Sequence, residues 1–271
     1  MSNPVAEQWQ SPFGRVLVGI DGSDESLEAA RQAAILVDGE LTLLASYDVA
    51  PAVGGTGVGV PFYQDTDVQQ AAATAALERA QAGVAVPAVG KVVFGRAADA
   101  LLAEVEQEQQ QLLVVGSHGH GRVTGLVLGS TANEVIRKLP CSVLVARRRG
   151  GGDRFPTKVV VGVDGSAGSA SAYAAARHVC ERFDAELWPV VAHGGEVDRG
   201  QVDLIVEGRC EELQDEPVAA LVAAAADADL LVVGSRGLKG LRALGSVSER
   251  VAHQASSSVL IVHPPGTPGA G

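Results

Sequence analysis

Three glycines and two hydroxyl side chains in this chain have the spacing of an anion-binding loop. Gly116-Ser117-His118-Gly119 is followed, after nine residues, by Gly129-Ser130-Thr131. Glycine lets backbone approach a ligand closely and adopts φ > 0 without steric cost. A Gly-Ser pair that opens a helix leaves the first N–H groups free, and these N–H groups and the helix dipole attract phosphate. The hydroxyls of Ser130 and Thr131 add donors. Earlier in the chain, Val18-Gly19-Ile20-Asp21-Gly22-Ser23 ends an apolar run on a carboxylate. A carboxylate suits sugar hydroxyls and not phosphate. The set therefore suggests a nucleotide, with Asp21 at the sugar and the glycines at the phosphates. Glycine after a strand and Gly-Ser before a helix are also ordinary punctuation, so each one alone admits a purely structural reading.

The elements that must position these residues follow from the hydrophobic pattern. Arg15 to Ile20, Leu41 to Ser46, Lys91 to Phe94, Leu112 to Val115 and Ser142 to Ala146 read as short apolar strands. Helical spacing runs from Ser23 or Asp24 to Val37, from Asp67 to Ala82, through Ala98, Leu101, Leu102 and Val105, and from Thr131 to Leu139. Residues 50–64 read as a long loop. Strands alternating with helices imply βαβ units and a doubly wound parallel sheet, a Rossmann-like α/β fold with strand order 3-2-1-4-5. Ligands bind such sheets where the winding reverses, between the first and fourth strands, and Asp21 and Gly116 both fall there.

The pattern then repeats. Val161-Gly162-Val163-Asp164-Gly165-Ser166, Leu231-Val232-Val233-Gly234-Ser235-Arg236-Gly237, Gly245-Ser246 and Ser258-Val259-Leu260-Ile261 match the first half in order. Two tandem domains are expected, residues 1–149 and 150–271, with Arg147 to Gly152 as a solvated linker. The second copy is shortened. Seven residues, not nine, separate Gly237 from Gly245. Between His193 and Val202 only Gly194 to Gln201 remain, fewer than the dozen or so residues of a parallel crossover. The second domain is therefore expected to be smaller and to lack one crossover helix, with a short strand at 203–207 that pairs abnormally or is displaced.

Composition narrows the function. A net charge of −11 opposes affinity for nucleic acid or an anionic membrane surface. Three cysteines, Cys141, Cys180 and Cys210, without C-x-x-C spacing read as small buried residues in a reducing compartment. Met1 to Phe13 has neither a basic n-region nor an apolar core, so neither a secretory signal nor a membrane partner is expected, and the cytoplasm is the expected location. No nucleophile with a placed base and no metal-ligand spacing is recognised.

With these motifs in order, the chain resembles a tandem universal stress protein of the ATP-binding-motif subclass, whose motif is G-x2-G-x9-G-[S/T]. The resemblance implies a stress-response module that binds ATP, with Mg2+ accompanying it, and at most slow hydrolysis. It implies nucleotide contacts from Ile20 and Asp21, the latter at the ribose, and from Ser46 beside the adenine. Val115, Gly116, His118, Gly119, Gly129, Ser130 and Thr131 would surround the phosphates. In the second half Asp164, Gly234, Gly237, Gly245 and Ser246 are the corresponding candidates, in a half expected to bind weakly or not at all. The two halves are expected to pair through their last strands, Ser142 to Ala146 and Ser258 to Val262, with a homodimer as a further possibility. The competing reading is a structural or interaction protein that keeps the fold without the nucleotide.

Overall fold

The computed structural model describes residues 10–48, 66–119, 128–148, 154–194, 197–235 and 246–264, except for the side chain of Ser246. The expected loop at 50–64, together with Gly237 and Gly245, lies outside the described residues.

The first half runs β1 (Arg15–Ile20), α1 (Asp24–Leu36), β2 (Glu40–Tyr47), α2 (Thr66–Ala82), β3 (Ala88–Phe94), α3 (Ala97–Glu108), β4 (Leu112–Gly116), α4 (Ser130–Lys138) and β5 (Ser142–Ala146). The second runs β6 (Lys158–Gly162), α5 (Ala167–Phe183), β7 (Glu186–Ala192), α6 (Arg199–Ile205), β8 (Glu211–Leu213), α7 (Pro217–Ala224) with a 3-10 turn at Ala225–Asp227, β9 (Leu230–Gly234), α8 (Ser246–Gln254) and β10 (Ser258–Val262). The central strands β1, β4, β5, β6, β9 and β10 are nearly continuous apolar runs because helices cover both their faces. Helices α1 and α5 start in the same way. Ser23 Oγ accepts from Ser26 N–H and Ser166 Oγ from Ser169 N–H, each capping the first turn.

The described strands form one ten-stranded sheet, ordered β3-β2-β1-β4-β5-β10-β9-β6-β7-β8. Each half has the expected 3-2-1-4-5 order and is parallel throughout. The halves meet at β5 and β10, which pair antiparallel with Val143 opposite Ile261, Leu144 opposite Leu260 and Val145 opposite Val259. The carboxyl ends of the strands therefore open on opposite edges of the sheet in the two halves. Reciprocal serines close the seam. Ser142 Oγ accepts from His263 N–H at 3.1 Å, and Ser258 Oγ accepts from Arg147 N–H at 3.0 Å. One apolar layer joins Leu144 and Ala146 to Val159 and Leu260, and the opposite layer joins Val143 and Val145 to Val160, Val259 and Ile261. The core thus crosses the boundary between the halves.

Two expectations need correction. The second-half crossover helix is not lost. α6 is a seven-residue helix capped by the Asp198 side chain, which accepts from Gln201 N–H. It takes in 203–205, which the apolar run Val-Asp-Leu-Ile-Val made look like a strand. The third strand lies further on, at Glu211–Leu213, and pairs parallel with β7 in the normal way, though over only three residues. Nor is Arg147 part of a solvated linker. Its side chain is buried, and its guanidinium donates to the carbonyls of Ala252, in the last turn of α8, and of Ser257, just beyond the helix. Burial without a carboxylate partner pulls its pKa down to about 10. Arg148 pairs with Asp24 at the start of α1.

Candidate functional site

Asp21 leaves β1 and turns at once into α1. Its Oδ1 accepts from Ser23 N–H at 2.9 Å and Ser23 Oγ–H at 2.5 Å, so the residue that caps α1 also orients the carboxylate. Across the switch point, Gly119 lies against the other carboxylate oxygen, and a Cβ on Gly119 would overlap Asp21 Oδ2. The sequence placed Asp21 and Gly119 in separate motifs, and the fold brings them together. Gly116 has a different constraint. A Cβ there would come within 2.9 Å of the Glu25 carbonyl carbon, so this glycine admits the first turn of α1 to the end of β4. The segment after Gly119 returns at Gly129, whose N–H donates to the Ser117 carbonyl at 2.8 Å, while Ser117 N–H donates to the Ala146 carbonyl. These bonds fix both ends of the loop. His118 Nδ1 lies 3.0 Å from Ser117 Oγ, and among the described residues its buried Nε2 has no hydrogen-bond partner. Ile20 and Val115 are buried core side chains, so only their backbone faces the site.

Beside this cleft a cavity of about 310 Å³ is lined by Ser46, Asp48, Gly95, Arg96, Ala97, Ala98, Ser130, Thr131 and Glu134. It gathers three of the sequence candidates, Ser46, Ser130 and Thr131. It adds Asp48, Arg96 and Glu134, which the sequence reading missed. The N-termini of α3 and α4 both reach it, and neither N-cap residue, Arg96 or Gly129, caps its helix with a side chain. Two positive helix ends whose N-cap residues make no side-chain cap therefore meet at one rim. Arg96 spans the mouth, with Nη1 3.2 Å from Asp99 and Nη2 2.9 Å from Glu134. Hydrogen bonding from Lys138 holds the Glu134 carboxyl below the usual carboxylate range, against the opposing effect of burial and with help from Arg96. Among the described residues no group of three or more His, Cys, Asp or Glu side chains is placed to hold a metal ion.

The second half keeps the frame and changes the chemistry. Asp164 Oδ1 accepts from Ser166 N–H, as Asp21 does from Ser23. Gly234 is sterically required, since a Cβ there would come within 2.5 Å of the Gly168 carbonyl carbon. Gly165, at φ +88, is overlain by Asp198, whose N–H donates to the Asp164 carbonyl, so the short crossover lies directly on this turn. Strand register places Ala192 where Ser46 stands, because Val190 pairs with Gly162 as Leu44 pairs with Gly19. Val247 follows Ser246 where Thr131 follows Ser130. The ion pair is reversed. Glu216 takes the N-cap place of Arg96, and Arg250 takes that of Glu134. Glu216 Oε2 accepts from Val218 N–H at 3.1 Å and Ala219 N–H at 3.3 Å, and Oε1 pairs with Arg250 at 2.7 Å. Burial pushes this carboxyl upward, but the N–H of Ala219, Arg250 and the N–H of Val218 together outweigh it and lower its pKa. The chain's own carboxylate thus fills the helix end that stays open in the first half.

Comparison with known proteins gives a consistent picture. The sequence model of the Universal stress protein family matches residues 12–147 and 195–263. A universal stress protein of Mycolicibacterium smegmatis is 30% identical, over 92% of this chain and 97% of that one. One from Mycobacterium tuberculosis is 28% identical, over 91% and 95%. The crystal structure of a universal stress protein from Archaeoglobus fulgidus has the same fold, with a TM-score of 0.65 at 17% identity, covering 92% of this chain and 96% of that one.

Proposed function

This chain belongs to the universal stress protein family, and on that premise we propose that its N-terminal half binds ATP as a regulatory module. In this reading Asp21 holds the ribose and Ser46 lies beside the adenine. The N–H groups of Gly119, Ser130 and Thr131 receive the phosphates, with Gly129 allowing their close approach, and His118 Nε2 offers a further contact. Mg2+ arrives with the phosphates and not on a protein site. We assign no catalytic residue, and any ATP hydrolysis is slow. The division at 149/150 gives one nucleotide-binding unit and one kept mainly for assembly, in a cytoplasmic protein. A homodimer would have to use surfaces other than β5 and β10, which already pair with each other.

The observation that carries this reading is the contrast at the starts of α3 and α7. The first-half rim presents two helix ends without side-chain caps, together with Arg96, Ser130 and Thr131. The second-half rim presents Glu216 on its own helix end. A doubly charged phosphate is favoured at the first and repelled at the second. Isothermal titration of the full chain with ATP and Mg2+ should give one site per chain. Two equal tight sites would refute the asymmetry, and the absence of binding would favour the interaction-protein reading. Mass spectrometry of protein purified without added nucleotide gives an independent readout.

A further inference from the structure

We infer that Arg96 is the residue by which this site distinguishes nucleoside triphosphates from monophosphates, a role that rests on the nucleotide reading above. Arg96 lines the same cavity as Ser130 and Thr131 at the α4 N-terminus, so a terminal phosphate that extends from that helix end along the rim would come within reach of its long side chain. Its present bonds are weak and divided. One nitrogen serves Asp99 and another serves Glu134, and the Arg96 side chain is 63% exposed. Exposed pairs of this kind contribute little. A terminal phosphate instead offers two oxygens in the spacing of the guanidinium fork, with more charge than either carboxylate.

The exchange leaves no buried charge behind. When Arg96 turns to phosphate, Glu134 keeps Lys138, whose Nζ lies 3.3 Å away. Asp99 is solvated. The remaining charges in the cavity lining make Arg96 necessary. Asp48 and Glu134 are both carboxylates, and Arg96 is the lining cation among the described residues. Without it the lining is acidic, and repulsion grows with each added phosphate. The second half carries a carboxylate, Glu216, at the same N-cap place, which makes the inversion itself the discriminating feature.

Titration of the full chain with ATP and with AMP, at fixed Mg2+ and ionic strength, tests this. Wild type should favour ATP. Arg96→Ala should lower the ATP:AMP affinity ratio by about ten- to a hundredfold, the scale of a charge-assisted hydrogen bond. Arg96→Lys should fall between them, since it keeps charge and loses the fork. Glu134→Gln removes the same ion pair but frees Arg96, and should tighten ATP binding. If Arg96 merely braces α3 against α4, both Arg96→Ala and Glu134→Gln weaken binding, and ATP and AMP lose equally, which would overturn the inference. Wild type that binds neither nucleotide would remove the reading beneath it, a failure visible before any substitution is made.

Discussion

Alanine at Gly119 should weaken ATP binding and spare the fold, whereas alanine at Gly116 should destabilise the fold and bear less on binding. Gly119 lies outside the left-handed backbone region, so alanine is conformationally acceptable there. Its Cβ would overlap Asp21 Oδ2, the far end of an exposed side chain, and the carboxylate must turn aside by about 1 Å to reach ordinary contact distance. Part of the Ser23 contact is lost, costing about 1 kcal/mol, and the stiffer unfolded chain returns roughly half of that. The displaced carboxylate no longer meets the ribose. A charged hydrogen bond of about 1.5–3 kcal/mol corresponds to roughly ten- to 150-fold weaker ATP binding. At Gly116 the obstacle is the backbone of Glu25, within 2.9 Å, which cannot swing away. Overpacking there should cost about 1–3 kcal/mol of stability. Urea unfolding and calorimetric ATP titration of both variants provide the two axes. A Gly119→Ala protein that binds ATP within about twofold of wild type, or that is as destabilised as Gly116→Ala, would refute the assignment.

Ile261→Ala, at a fully buried seam position opposite Val143, should cost about 2–5 kcal/mol and leave a single unfolding transition. Hydrogen exchange should then accelerate in β4 as well as β9, and loss confined to the second half would show that the halves unfold separately. The thiols of Cys141 and Cys180 are pushed up to about 12 and that of Cys210 to about 11, chiefly by burial. At pH 8 a thiol reagent should therefore leave the native protein almost unlabelled and titrate three thiols in denaturant. Hydrogen bonding from His193 lowers the Glu212 carboxyl, and Glu216 is lowered as described. The stability contributed by both is present above the ordinary value of 4.5 and is lost as pH falls through the lower folded values. Thermal melts should thus fall below about pH 4.5 and fall less in Glu216→Gln; an unchanged acid limb in that variant would contradict the capping geometry.

The central strands were legible in the sequence because burial on both faces forces continuous apolar runs, as at Leu112 to Val115 and Val159 to Val163. The edges were not. Glu211-Glu212-Leu213 is polar because an edge strand needs little apolar surface, and α6 is apolar enough at Val202, Leu204 and Ile205 to look extended. The glycine motif was found but mixes two roles. Gly116 and Gly234 answer to helix packing, and only the fold shows Gly119 against Asp21. Arg96 and Glu134 lie 38 residues apart and carry no local signature, so their pairing across the cavity mouth was silent. Arg96 next to Gly95, at a strand-to-helix junction on the ligand side of the sheet, was the one available hint.

The antiparallel seam gives the molecule a direction. Two separate chains of this fold would assort into like and unlike pairs, and any change in one site would be copied into its mate. Here every seam joins one open rim to one self-capped rim, in fixed one-to-one proportion and facing opposite ways along the strands. Substitutions such as Glu216, Ala192 and Val247 can therefore accumulate on one edge without touching the other. A partner that reads the capped edge meets the same surface whatever ligand fills the open edge, unless the shared core itself carries the signal across.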